Sequence, residues 1–370
     1  MGFPHPDLPA IPEISLVIGE ERARAGSGAD WAHVYPGTGR VTREVRLASP
    51  ADVDRAVAAA RAAQPAWRAL AGDKRRDLMF RLAAVIESKA AEMSPLLTAE
   101  NGAILIAGGH MTADAAQKFR YYGGMADKID GRTVSTWGGP ALDYVMYEPY
   151  GTVGIIVPWN GPLFAATMVM APALAAGNCV VLKAPELAPW SLMKLMEAVH
   201  EAGFPAGVVN MVTGGPDVGA AMVSHPGIDK IEFIGSGATA QKILASASQS
   251  LKPVGLELGG KSAVLVFADA NLQGAAKRGL SGAISASGQG CVNGTRLLVE
   301  RAIYEPYLQM LKAMAGHVKV GDPFAMDTFV GPVISQAALE RIDGMVRRGI
   351  EQGGEAICGG APMDGDHAEG

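Results

Sequence analysis

Between residues 152 and 258 the chain alternates short apolar runs with helical patterns, and no other feature narrows the possible folds as much. Strand-like runs at 153–157, 179–182, 208–211 and 230–234 are each followed by a helix-like stretch, at 163–176, 190–202, 217–224 and 238–248. Short connections through helices make neighbouring strands parallel, so the segment is expected to form a doubly wound parallel sheet with helices on both faces. Such sheets bind ligands in the loops beyond the carboxyl ends of their strands, and chemistry is expected there.

Residues 1–48 read as short strands and turns, with Pro36-Gly37-Thr38-Gly39 as a hairpin turn. Ser49-Pro50-Ala51-Asp52 opens a helix with a capping serine, a proline at the first position and a carboxylate in the first turn. Helical patterns cover 52–63, 74–91, 95–101 and 113–129. From 133 to 150 the period becomes two around a Gly138-Gly139-Pro140 turn, a hairpin with few core-building neighbours that is expected to pair with another subunit. After Gly259 a second α/β unit begins: strand 263–267, helix 272–285, a glycine-rich loop, strand 296–300, and helices 305–317 and 336–352.

Composition excludes several classes. The 370 residues carry a net charge of −5 with no basic stripe, which argues against a nucleic-acid partner. No apolar run reaches the length of a membrane span, and the proline-rich stretch 1–12 has no signal-peptide pattern, so no membrane association is expected. Cys179, Cys291 and Cys358 are too few and too widely spaced for a disulfide framework, which points to a reducing, cytoplasmic setting. The seven histidines lack metal-ligand spacing, so no metal site is expected.

Cys291 lies in Ser287-Gly288-Gln289-Gly290-Cys291-Val292-Asn293-Gly294, and glycines on both sides remove the packing that would bury a thiol, favouring a reactive cysteine. Cys179 and Cys358 lie in or beside apolar runs and read as packing residues. Glu257 stands 34 residues earlier in the apolar run Val254-Gly255-Leu256-Glu257-Leu258, where a carboxylate is costly unless it is paired, hydrated or needed as a base. Asn160, in Pro158-Trp159-Asn160-Gly161-Pro162, is either a helix cap or an amide donor for a developing oxyanion. Lys183, three residues before Glu186, either snorkels to solvent or contributes with Glu186 to a two-pronged grip on ribose hydroxyls. Gly235-Ser236-Gly237-Ala238-Thr239-Ala240 fits G-x-G-x-x-A and offers pyrophosphate a helix N-terminus. Taken alone, that loop would assign Glu257 to a ribose; the neighbouring Gly259-Gly260-Lys261 and the cysteine loop weigh against it.

Glu257-Leu258-Gly259-Gly260-Lys261 together with Gly288-Gln289-Gly290-Cys291 resembles the paired active-site signatures of the NAD(P)-dependent aldehyde dehydrogenases, and Pro158-Trp159-Asn160 resembles the family's Pro-Trp-Asn. The resemblance extends over nearly the whole chain. It implies an NAD-binding domain from 1–130 and 151–257, an oligomerisation hairpin at 131–150 and a catalytic domain at 258–370, in a homodimer or homotetramer. It implies Cys291 as nucleophile, Glu257 as base for hydrolysis and Asn160 as oxyanion donor. Cofactor contacts are implied for Pro158, Trp159, Lys183, Glu186, Gly235, Ser236 and Gly259, with Glu186 repelling a 2′-phosphate and so favouring NAD over NADP. A substrate funnel is implied beside Gly161, Phe164, Ala165, Met168 and Ser285, whose mostly small side chains suit a medium or large apolar aldehyde. The family usually carries threonine where Ile234 stands. It also continues past the polar turn at 367–370 with a Glu-x-Phe-Gly-Pro segment that Gly331-Pro332-Val333 echoes only superficially. Two other readings are kept: a CoA-acylating semialdehyde dehydrogenase, and an inactive fragment or binding protein if 370 residues is the natural length.

Overall fold

A computed structural model gives the structure of the chain, describing residues 11–12, 16–23 and 25–365. The readings made for 1–10 and 366–370 lie outside the described residues. In chain order the first strands are β1 (Leu16–Ile18), β2 (Glu21–Ala23), β3 (Asp30–Tyr35) and β4 (Arg40–Arg46), the last two forming the hairpin expected around Pro36. Four helices follow: α1 (Pro50–Ala69), α2 (Gly72–Ser88), α3 (Ala90–Asn101) and α4 (Leu105–Gly123). The Asp52 carboxylate accepts from the backbone of Ser49 at 2.9 Å, so the start of α1 is the one read from sequence. The helix nevertheless continues through Pro65, because two residues later Trp67 is buried against Phe204, with ring centroids 5.6 Å apart.

α4 starts eight residues before the expected 113, and the reason is a glycine. A Cβ at Gly108 would come within 2.7 Å of the Ser94 carbonyl, so Gly108 is the point where α4 crosses α3 closely rather than a helix breaker. After α4 come β5 (Arg132–Val134) and β6 (Asp143–Val145), the two arms of the expected hairpin, with Trp137 at its tip 99% exposed.

The alternating segment folds as β7 (Thr152–Ile156), α5 (Pro162–Ala175), β8 (Cys179–Pro185), α6 (Trp190–Glu201), β9 (Val209–Gly214), α7 (Pro216–Ser224), β10 (Lys230–Gly235), α8 (Gly237–Ala247) and β11 (Val254–Leu258). The sheet order is β11-β10-β7-β8-β9-β1-β2, with the first five strands parallel and β1 and β2 added antiparallel at one edge. All residues of β7, β8 and β9 are buried, which is why apolar residues dominate their sequences. The chain runs outward from β7 through β8 and β9, then returns to place β10 on the other side of β7. The topological switch therefore lies between β7 and β10, which puts the Pro158–Asn160 and Gly235–Gly237 loops at its mouth.

The remainder comprises β12 (Ala263–Val266), α9 (Leu272–Ile284), β13 (Arg296–Val299), α10 (Tyr304–Ala315) and α11 (Gln336–Glu351). β12 and β13 form a two-stranded parallel sheet whose register pairs Ala263 with Arg296. Cys358 is exposed rather than packed, because the segment after α11 forms turns instead of a strand. No helix among the described residues is long and apolar enough to cross a membrane.

Candidate active site

The loop after β7 carries Asn160, and its side-chain amide donates to the Gln289 carbonyl at 2.8 Å, two residues before Cys291. An amide nitrogen has two hydrogens, and one of them is engaged with Gln289. Asn160 is not the cap of α5: that place is taken by Gly161, followed by Pro162 at the first helical position. The helix-cap reading of Asn160 is therefore not met, and its amide instead ties the loop after β7 to the cysteine loop.

Cys291 is exposed, as expected from its glycine neighbours. The loop that carries it is held in an unusual conformation, because Ala286 and Ser287 both have left-handed backbones (φ 52° and 54°) and Gly288 follows at 74°. Non-glycine residues pay for such angles in strain, so the surroundings must fix them. Ser287 donates to the Gly331 carbonyl at 3.0 Å, and Gln289 Oε1 accepts from the Ile334 backbone at 3.0 Å. Asn293, 4% exposed, donates to the carbonyls of Ala283 and Ser285 and tucks its side-chain oxygen against Gly290, where any Cβ would collide with it. Cys291 thus projects from a loop braced at three points.

β11 is the edge of the sheet, and both Glu257 and Leu258 are exposed, so of the alternatives left open for this carboxylate it is the hydrated one that the structure shows. Its connection to Cys291 is through the second sheet. Arg296 bonds through its backbone to Ser262 and through its guanidinium to the Lys261 carbonyl (3.2 and 2.6 Å), joining the segment after Glu257 to the segment after Cys291. Because Ala263 and Arg296 are in register, the two segments enter this sheet from the same end.

Lys183 does not snorkel. It lies at the carboxyl end of β8 with its side chain 8% exposed, running beside Gly219 of α7, and its Nζ stands 3.7 Å from Glu186. Burial lowers its pKa, with the charges of Glu186 and Asp217 opposing. Ser236 caps α8, its hydroxyl accepting from Thr239 N at 3.3 Å, while Gly235 is required because a Cβ there would strike the Phe233 ring at 2.5 Å. Gly237 and Gly259 border open space, and the Gly259 N–H reaches the Gly235 carbonyl at 3.4 Å, so the loops after β10 and β11 meet. Ile234 is buried at the end of β10 and pairs with Glu257 in the register.

The expected funnel residues divide. Phe164 is 37% exposed and Ser285 opens onto a cavity of about 460 Å³ shared with Ile104, Ala107, Arg278 and Phe329. Ala165 is buried in the core and is not part of an open wall, and Met168 packs partly against that core, because α5 turns this side toward the sheet. The sequence reading missed the wall contributed by α4. Met111 approaches within 3.8 Å of where a Gly161 Cβ would be, and Lys118, ion-paired with Asp114, places its ammonium 3.8 Å from the centre of the Phe164 ring. Burial brings the Lys118 ammonium down to about 8. The spacing of Asp114 and Lys118 on a helix with an otherwise apolar inner face was the available signal. Asn293 carried no comparable signal. Among the described residues no group of three or more metal-ligating side chains is gathered.

The sequence profile of the aldehyde dehydrogenase family matches residues 24–370. An aldehyde dehydrogenase from Alternaria alternata is 41% identical over 93% of this chain and 70% of its own length. A (Z)-2-((N-methylformamido)methylene)-5-hydroxybutyrolactone dehydrogenase from Acinetobacter baylyi is 39% identical over 91% of this chain and 70% of its own. Among solved structures, PnpE, an enzyme from Pseudomonas sp. WBC-3, superposes in its complex with nicotinamide adenine dinucleotide at a TM-score of 0.93, with 38% identity over 96% of this chain and 74% of its own. With matches of this extent laid over a switch-point crevice, an amide donor and an exposed cysteine, the chain belongs to the aldehyde dehydrogenase family.

Proposed function

We propose that the chain oxidises an aldehyde to a carboxylate through a thioester on Cys291, using NAD. The observation that carries this reading is the Asn160 amide bonded to Gln289 beside an exposed thiol. The Cys291 thiolate adds to the aldehyde carbon, forming a C–S bond, and the oxygen that becomes negative rests on the second Asn160 N–H and the Cys291 backbone N–H. NAD, when bound, supplies the hydride acceptor that turns this adduct into a thioester. Glu257 then takes a proton from water as the water oxygen adds to the thioester carbon, and collapse expels the Cys291 thiolate and leaves the carboxylate.

The residues at the switch point fit the cofactor. The capped N-terminus of α8 and the open glycines 237 and 259 suit a pyrophosphate, and the Lys183–Glu186 pair at 3.7 Å suits ribose hydroxyls. Pro158 and Trp159 border the same crevice. We assign 1–130 with 151–257 to cofactor binding, 258–370 to catalysis and 131–150 to assembly into a homodimer or homotetramer, in a reducing cytoplasmic setting that suits the free thiols. The substrate is an aldehyde with a medium or large apolar body, supported by the cavity at Ser285.

Glu257→Gln tests the mechanism. It should give one burst of NADH per site and then near-zero steady-state turnover, because acylation does not use the carboxylate; loss of the burst would move Glu257 to activation of the thiol. A kcat/KM that falls with aldehyde chain length beyond two carbons would overturn the substrate assignment.

A further inference from the structure

The C-terminal end of α3 closes a ring of contacts around the site. Asn101, 3% exposed, donates through Nδ2 to the Trp159 carbonyl at 3.1 Å and the Asn160 carbonyl at 3.5 Å, while its Oδ1 accepts from the Ala103 backbone at 2.9 Å. The loop it holds bonds to the cysteine loop through Asn160 and Gln289. The cysteine loop bonds in turn to Gly331 and Ile334. The ring closes where Gly331 packs on Gly102, the next residue after Asn101: a Cβ at Gly331 would come within 2.5 Å of the Gly102 carbonyl, and one at Gly102 within 2.7 Å of Pro332. Gly102 caps α3 with a left-handed backbone (φ 74°), which only glycine adopts without strain.

The base of this ring is itself anchored. The neighbouring Glu100 is wholly buried and accepts from the backbone N–H groups of Trp190 and Ser191 at 2.5 and 3.1 Å and from the Ser191 hydroxyl, pinning α3 to the start of α6. The α3 terminus is therefore fixed to the central core, touches the Asn160 loop directly and reaches the cysteine loop through Gly331.

We propose that Asn101 is a positioning residue for thioester formation: it sets the place of the Asn160 amide relative to the Cys291 sulfur. It touches neither substrate nor cofactor, and it acts on the backbone of the loop whose side chain is the oxyanion donor. A misplacement of about 1 Å in such a donor can cost roughly 100-fold in rate. The inference rests on the role proposed above for Asn160, and its test has a readout independent of turnover.

Asn101→Asp keeps the acceptor for Ala103 and loses the donor to Trp159; Asn101→Thr keeps a hydroxyl able to donate. In Asn101→Asp, hydrogen–deuterium exchange should quicken in peptides covering 157–163 and 285–294, with those of β8 and β9 unchanged. The NADH burst should slow by roughly 10- to 100-fold while the KM for NAD stays within about twofold. Asn101→Thr should recover most of the burst rate and the slow exchange. Wild-type exchange and burst in Asn101→Asp would overturn the proposal, as would a parallel loss of NAD affinity or failure of Asn101→Thr to rescue. If the wild-type chain forms no NADH, the function proposed above fails, and the exchange pattern alone decides whether Asn101 positions the two loops.

Discussion

The seven-stranded sheet and the two-stranded sheet of β12 and β13 stand on unequal foundations. In the seven-stranded sheet, three adjacent strands have every residue buried, and helices cover both faces. In the two-stranded sheet beside the cysteine, burial alternates along β12 and β13, the local core reduces to Val266, Ala276 and Tyr307, and Leu265, Phe267 and Leu298 are 52–60% exposed. The larger sheet is held by its own interior. The Cys291 loop is held by side-chain hydrogen bonds from Ser287, Gln289 and Asn293, where each bond contributes about 1 kcal/mol and small changes in the protein are felt. The family's relatives matched here extend beyond this chain, which spans about 70% of their length.

The contrast is sharpest between cysteines. Cys291→Ala should remove turnover by at least roughly 1,000-fold without altering NAD binding, whereas Cys179→Ala and Cys358→Ala remain active. Iodoacetamide should modify Cys291 and Cys358 in the folded protein and spare Cys179, whose thiol burial pushes up to about 12. Peptide mapping that finds Cys179 alkylated in native protein would break the comparison. In urea denaturation, Leu182→Ala in β8 should cost about 2–5 kcal/mol, against about 0.5 kcal/mol or less for Leu265→Ala in β12; equal losses would mean that the second sheet is as tightly packed as the first.

The anchor of α3 gives a pH signature. Burial pushes the Glu100 carboxyl up to about 7 from its ordinary 4.5, against the opposing hydrogen bonds from Ser191 and Trp190. The folded state holds that proton more tightly than the unfolded chain does. Its contribution to stability is therefore complete below about pH 4.5 and fades as pH rises through 7, by on the order of 3 kcal/mol. His33, whose pKa burial lowers, acts in the opposite sense in acid, so the difference between wild type and Glu100→Gln isolates the carboxyl. Thermal melts from pH 4.5 to 8 should show a smaller decline in Glu100→Gln; parallel curves would remove Glu100 from the account. The smallest effect is expected on the cofactor side: Glu186→Ser should raise the NADP to NAD ratio of kcat/KM by roughly 10-fold through relief of charge repulsion.

The parts legible in the sequence are those whose signal is local. The alternation of short strand-like runs with helices identified β7 to β10 because short helical connections dictate parallel neighbours, and the glycines around Cys291 announced an exposed thiol. The parts that were not legible depend on partners far away in sequence. The early start of α4 is hidden until Ser94 is seen against Gly108, the hydration of Glu257 is hidden until β11 proves to be an edge, and Cys358 reads as packed until its segment proves to be turns. The left-handed pair Ala286–Ser287 has no composition signal, since neither residue favours that conformation and only contacts with Gly331 and Asn293 impose it.

The hairpin tip gives the molecule a built-in optical probe. Trp137 is 99% in water while Trp67 and Trp190 are sealed in the core at 1% and 0%, so their indoles emit from opposite extremes of polarity. Iodide will quench the red edge of the fluorescence and leave the blue edge, and any surface that closes over the hairpin will shift Trp137 toward the blue without altering the core emission.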